Sequence, residues 1–306
     1  MTRKTIIIYI TTLLLLVGCQ ADKTDDPRQD GLVPVTLTAS QGSILSISGG
    51  MTRAADGLYS ATSGFSGGET VRVFLNSSSS SSDYTVGSPT AGVSSLTGGT
   101  LYYPPSGDIT LFAVYPAASA SSHTVAYDQT SDANYKASDL MYAKKTVAQA
   151  DKAAAQNLEF AHQLVKLKLN IIKGAGITSV TEVKMKNVKR TVSVAPSTSS
   201  AGVGSATSTG DENGDEILIF SGSNTSDSQT YACVFPAQAW SNTDFITVTA
   251  DEKTVTYQLN RSEWTAGAEY ELTFHLNAVA LSTTISITGW SDSNPSVVVN
   301  PSHRFQ

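Results

Sequence analysis

The sequence is short of cysteine, of charge and of long apolar runs. Two cysteines in 306 residues, Cys19 and Cys233, cannot build the disulfide framework of a small secreted scaffold, so stability has to come from packing. Charged residues make up 15% of the chain and the net charge is -6, which leaves no basic surface for a nucleic-acid backbone. There are four histidines, and none has a second histidine at metal-ligand spacing. The apolar run Ile6 to Val17 is too short to span a bilayer comfortably as a mature helix. What is present is a 40% hydrophobic content, enough to bury a core in each of two ordinary domains, in a chain rich in Ser, Thr, Gly, Val and Ala. That composition suits an extracellular β-protein better than a cytoplasmic α/β enzyme.

The first residues read as an address. Arg3 and Lys4 precede the apolar run, which has the length of a signal-peptide core. The run ends in Leu16-Val17-Gly18-Cys19, which resembles a bacterial lipobox. Residues 1–18 are then a lipoprotein signal peptide and Cys19 the acylated first residue of the mature chain, held to the outer membrane without any transmembrane helix. Gln20-Ala21-Asp22 resembles the short acidic signals that route lipoproteins to the cell surface. With Cys19 acylated, Cys233 has no second cysteine to bridge to.

Beyond the signal, period-two alternation dominates. In Val33-Pro34-Val35-Thr36-Leu37-Thr38-Ala39 the apolar side chains fall at odd positions, the pattern of a strand with one buried face, and Pro34 places it at a sheet edge. Further strands are predicted at 69–75, 108–115, 164–172, 180–188, 216–220, 231–235, 245–250, 254–259, 270–277 and 283–288. In the clearest, Val165, Leu167, Leu169 and Ile171 face a core while Lys166, Lys168 and Asn170 face water. The alanine-rich stretch 147–159 reads as a helix or as a surface loop. The serine run within 76–83 and the Ser/Thr/Gly-rich 195–210 read as mobile hairpin loops, because neither buries enough apolar area to offset its ordering entropy. A composition shift at 153–157 marks a boundary between two β-sandwich domains.

Several blocks, taken in order, resemble the fimbrillins, the type V pilin-like lipoproteins: Met51-Thr52-Arg53-Ala54-Ala55-Asp56-Gly57, Gly67-Gly68-Glu69-Thr70-Val71, Asp139-Leu140-Met141-Tyr142-Ala143, Leu158-Glu159-Phe160-Ala161-His162-Gln163-Leu164 and Ile287-Thr288-Gly289-Trp290. The resemblance implies an all-β fold of two tandem transthyretin-like Greek-key β-sandwich domains. It implies a precursor cut by an arginine-specific maturation protease, and assembly with other fimbrillin subunits by donation of a strand. On this chain the cut falls between Arg53 and Ala54. Residues 19–53 become a pro-segment carrying the exchangeable strand with Val33, Val35 and Leu37; residues 54–156 and 157–277 become the two sandwiches. Residues 278–306 supply the candidate donor, through Ile285 and Ile287 or Val297 and Val299. No cofactor is called for.

Enzyme chemistry fares worse. Gly64-Phe65-Ser66-Gly67-Gly68 matches the nucleophile-elbow pattern, but a strand and not a helix follows it. Cys233 lies in an apolar strand pattern, so a thiolate pair with His162 or His275 gives way to a buried cysteine. Asp211, Asn213 and Asp215 imitate the start of a calcium loop, yet Glu216 stands where the loop requires glycine and Gly222 where it requires glutamate; Asn213-Gly214 reads as a turn. A second, non-enzymatic reading is a permanently lipidated surface protein that binds glycan through exposed Trp240, Trp264 and Trp290.

Overall fold

The computed structural model describes residues 32–41, 65–262, 264–276, 281–289 and 303–305, the last two segments as backbone. Apart from one short helix and two single 3-10 turns, the regular elements are strands. The first half carries β1 (Leu37–Gln41), β2 (Thr70–Leu75), β3 (Ser77–Val86), β4 (Ser94–Thr97), β5 (Ile109–Tyr115), β6 (Ser122–Thr124), α1 (Asp132–Ala137), β7 (Met141–Val147) and β8 (Gln156–His162). The second carries β9 (Val165–Lys173), β10 (Val180–Lys186), β11 (Thr191–Ser193), β12 (Glu216–Asn224), β13 (Ser228–Phe235), β14 (Trp240–Ala250), β15 (Lys253–Arg261), β16 (Ala268–Leu276), β17 (Leu281–Gly289) and β18 (His303–Phe305).

Seven strands close a barrel in the order β1-β4-β3-β2-β5-β7-β8. The later strands form a five-stranded sheet, β12-β10-β14-β15-β18, and a four-stranded sheet, β13-β9-β16-β17. Alternation explains the barrel strands. On β5, Ile109, Leu111, Ala113 and Tyr115 point into the barrel core with Val71, Val73, Leu158 and Phe160. The intervening Phe112 and Val114 join Phe74 and Tyr142 in a second cluster, which runs on through Leu167, Leu169, Ile217, Phe245 and Leu272. β5 is therefore buried on both faces.

Residues 122–130, which lie between two barrel strands in sequence, bond into the second half. β6 pairs with β11, and Leu218 on β12 exchanges backbone bonds with Tyr127 and Gln129. The Gln129 side chain accepts from the Val234 amide and donates to its carbonyl, both at 2.9 Å, capping the free edge of β13.

Four sequence readings change. The stretch 147–159 is no helix: β7 ends at Val147, a 3-10 turn covers Gln149–Asp151, and β8 begins at Gln156, because Leu158 and Phe160 alternate into the barrel core and outweigh the weak preference of alanine for helix. The serine run is strand β3, not a loop. Ladder bonds with β2 are indifferent to side chain, so serines exposed to solvent fit there. The strand around Leu37 is interior, lying between β4 and β8. Pro34 fits because its bridge to Tyr102 uses the Val35 and Tyr103 amides and the Leu101 and Val33 carbonyls, so no Pro34 amide is needed. Lys166 and Lys168 do not face water. They are 3% and 5% exposed and flank Glu269 of β16, at 3.1 and 3.2 Å. Asn170, half-buried beside them, donates to Glu271 and accepts from Thr230. Period two identifies the two faces of a strand but not what covers the second one.

Candidate strand-exchange groove

β1 is short, yet it is bonded on both sides. It runs antiparallel to β4, with Leu37 opposite Leu96 and Ala39 opposite Ser94, and parallel to β8, with Leu37 opposite Gln156 and Gln41 opposite Phe160. Val35, Leu37 and Ala39 are 7%, 2% and 1% exposed and point into the barrel core, whereas Val33 is exposed. The outward residues are tied to β8 through side chains. The Asn157 amide lies 3.1 Å from the Thr38 hydroxyl and 2.8 Å from that of Ser40. A burial of this kind contributes roughly 1.5 to 3 kcal/mol for each Val or Leu side chain. Without β1 the barrel would be open between β4 and β8, with two rows of backbone groups and an apolar slot exposed.

At the other end of the chain, β17 runs antiparallel to β16 at the edge of the four-stranded sheet, with Ile285 opposite Leu272 and Ile287 opposite Tyr270. Its segment Ile285-Ser286-Ile287-Thr288-Gly289 repeats the order of large, hydroxyl and small residues of Val35-Thr36-Leu37-Thr38-Ala39. The signal segment, Cys19, Arg53, Ala54, Trp290, Val297 and Val299 lie outside the described residues.

The other sequence candidates fall into structural roles. Ser66 is exposed, its hydroxyl accepts from the Lys136 ammonium at 2.6 Å, and its own amide and that of Gly67 donate to Glu69. Gly67 and Gly68, at φ +95° and +93°, make a turn into β2 that glycine adopts freely. Cys233 is fully buried opposite Leu167, while His275 is exposed. His162 is buried against Asp139, Nδ1 to carboxylate 2.9 Å. Burial pushes this imidazole below its ordinary pKa, against the upward pull of the Asp139 carboxylate.

Asp211 accepts from the buried Arg190 guanidinium and, at 3.1 Å, from the Asn213 amide, and Gly214 closes a turn back to the Asp211 carbonyl. The acids of that segment thus serve the loop, and among the described residues no cluster of three metal-ligating side chains occurs. Trp240 and Trp264 are 1% and 6% exposed within an aromatic cluster with Phe235 and Phe245, so they form no sugar-stacking platform. Alternation around Phe245 signalled that core, but the tryptophans flank the strand pattern and carried no sign of their direction.

Among the described residues the chain is nearly all β, its first strand completes a barrel, and its last two strands lie at sheet edges. Its sequence matches the family described as fimbrillin-like over residues 52–290, and the chain belongs to that family. No curated protein matches it. Among solved structures, a candidate cell adhesion protein from Bacteroides uniformis is 18% identical with a TM-score of 0.61, the alignment covering 86% of this chain and 99% of the other. A second candidate cell adhesion protein, from Bacteroides ovatus, is 14% identical with a TM-score of 0.61, covering 87% and 98%. A fimbrial assembly protein from Parabacteroides distasonis is 8% identical with a TM-score of 0.51, covering 88% and 99%. At these identities the likeness is one of fold.

Proposed function

We propose that the chain is a non-enzymatic structural subunit of a cell-surface fimbria, assembled by strand exchange with other fimbrillin subunits. In this reading the precursor is anchored in the outer membrane by acyl chains on Cys19, and an arginine-specific protease cuts between Arg53 and Ala54. The cut frees residues 19–53, and with them β1, from the rest of the chain. The observation that carries the reading is the position of β1: it fills an interior slot of the barrel through Val35, Leu37 and Ala39, and it lies upstream of Arg53. A strand leaving that slot has to be replaced by one of matching alternation. Ile285 and Ile287 of a second copy offer it, with Gly289 at the place of Ala39; Val297 and Val299 are the other donor pair.

Arg53→Ala tests the reading. The variant should be exported and acylated like the wild type, yet accumulate uncut and fail to form heat-dissociable ladders in cells carrying the protease, because a tethered strand competes at high effective concentration. Ladders from uncut protein would refute the mechanism, as would an assembled wild type whose N-terminus lies well before Ala54.

A further inference from the structure

A cleft of about 480 Å³ opens on the second half of the molecule, and no residue of β1 lines it. It is bordered by β12, the edge of the five-stranded sheet, and β13, the edge of the four-stranded sheet. Thr130, from the segment before α1, also lines it. Its size falls in the range of roughly 300 to 1,000 Å³ typical of small-molecule sites.

The lining has a definite chemistry. Phe220 and Tyr231 place two rings side by side, centroids 4.8 Å apart and planes tilted by 39°. Asn224 fixes the second ring by donating to the Tyr231 hydroxyl at 2.8 Å, and its own carbonyl accepts from the Ser226 amide, so the wall is organised before any ligand arrives. Ser221 and Ser223 are exposed on the β12 side. Gln229 is the telling residue. The residue is 8% exposed, lies on the cleft wall, and its side-chain amide carries two donors and an acceptor. An amide on the wall of a cleft offers both kinds of hydrogen bond to whatever occupies it. No charged side chain lines the cleft.

We propose that this cleft binds a neutral saccharide. The C–H face of a pyranose stacks on an aromatic ring, and its hydroxyls both donate and accept. Those are the groups needed by the Gln229 amide and the serine and threonine hydroxyls, whereas a charged ligand would find no counter-ion. The residues concerned differ from Trp240 and Trp264, which are core.

The full chain in detergent is tested by saturation-transfer NMR with lactose, mannobiose and N,N′-diacetylchitobiose. Saturation transfer to at least one of them is expected, unchanged by high salt, since no ion pair contributes. Phe220→Ala and Gln229→Ala should each weaken that binding by about tenfold. Phe220 also packs on the core, so Ser223→Arg, at an exposed position, fills the cleft without touching the interior and should abolish binding at an unchanged melting temperature. No transfer to any of the three sugars would overturn the proposal. So would binding that survives Ser223→Arg, or a cleft that responds only to an extended peptide of sequence 281–289.

Discussion

Glu269 sits between Lys166 and Lys168 with all three side chains less than a tenth exposed. Two ammonium groups share one carboxylate, so removing the carboxylate takes from buried Lys168 the counter-charge it faces and from Lys166 one of its contacts. Glu269→Gln is expected to lower stability by about 3 to 5 kcal/mol, and Lys168→Asp, which sets two carboxylates together, by a similar amount. The exposed pair Arg72–Asp83, at 2.7 Å, is the control. The Arg72 guanidinium holds the Asp83 carboxyl below its ordinary pKa, but solvent screens the pair, and Asp83→Asn should cost about 1 kcal/mol or less. Urea midpoints of the three variants measure the difference. Equal losses would mean that Lys168 is solvated after all.

The β14–β15 hairpin turns through Asp251 and Glu252, both at positive φ, +47° and +64°. The Asp251 carboxylate accepts the amides of Thr178 and Ser179, at 2.8 and 2.9 Å, together with the Thr178 hydroxyl. These bonds, the Thr178 hydroxyl first, pull its pKa down to about 2. With the folded value below the unfolded one, the contribution is complete above the ordinary carboxylate range and is lost as pH falls from there toward about 2. Urea midpoints measured across that acidic window should fall more steeply for wild type than for Asp251→Asn.

Elements of this kind also mark what the sequence can carry. β9 and the buried Val35 and Leu37 of β1 were legible because alternation is local. β3 and β8 were not, since one has few apolar residues and the other lies in an alanine-rich context. The parallel pairing of β1 with β8 joins residues over a hundred positions apart, so no local pattern could announce that β1 is interior. The Gln229 cleft was illegible for the same reason: its walls come from two sheets that meet only in the fold.

The barrel and the two later sheets are joined through residues 122–130, with β6 on β11, Leu218 between Tyr127 and Gln129, and Gln129 on Val234. Arg190, buried in the second half, reaches back to the Val125 carbonyl at 3.1 Å. Such an interlock predicts that the two halves unfold together, in a single calorimetric transition with matching van't Hoff and calorimetric enthalpies. Gln129→Leu leaves the Val234 amide and carbonyl unbonded and should cost about 1 to 3 kcal/mol. Two resolved transitions in the wild type would contradict the coupling.

The aromatic cluster gives a further handle on the molecule. Every tryptophan lies at or beyond position 240, and the indoles of Trp240 and Trp264 pack 6.0 Å apart in the second core. Their ultraviolet emission is therefore a lamp fixed at one end of the chain. On the proposed exchange it should stay blue-shifted while β1 is replaced in the barrel, and redden only when the second core itself comes apart.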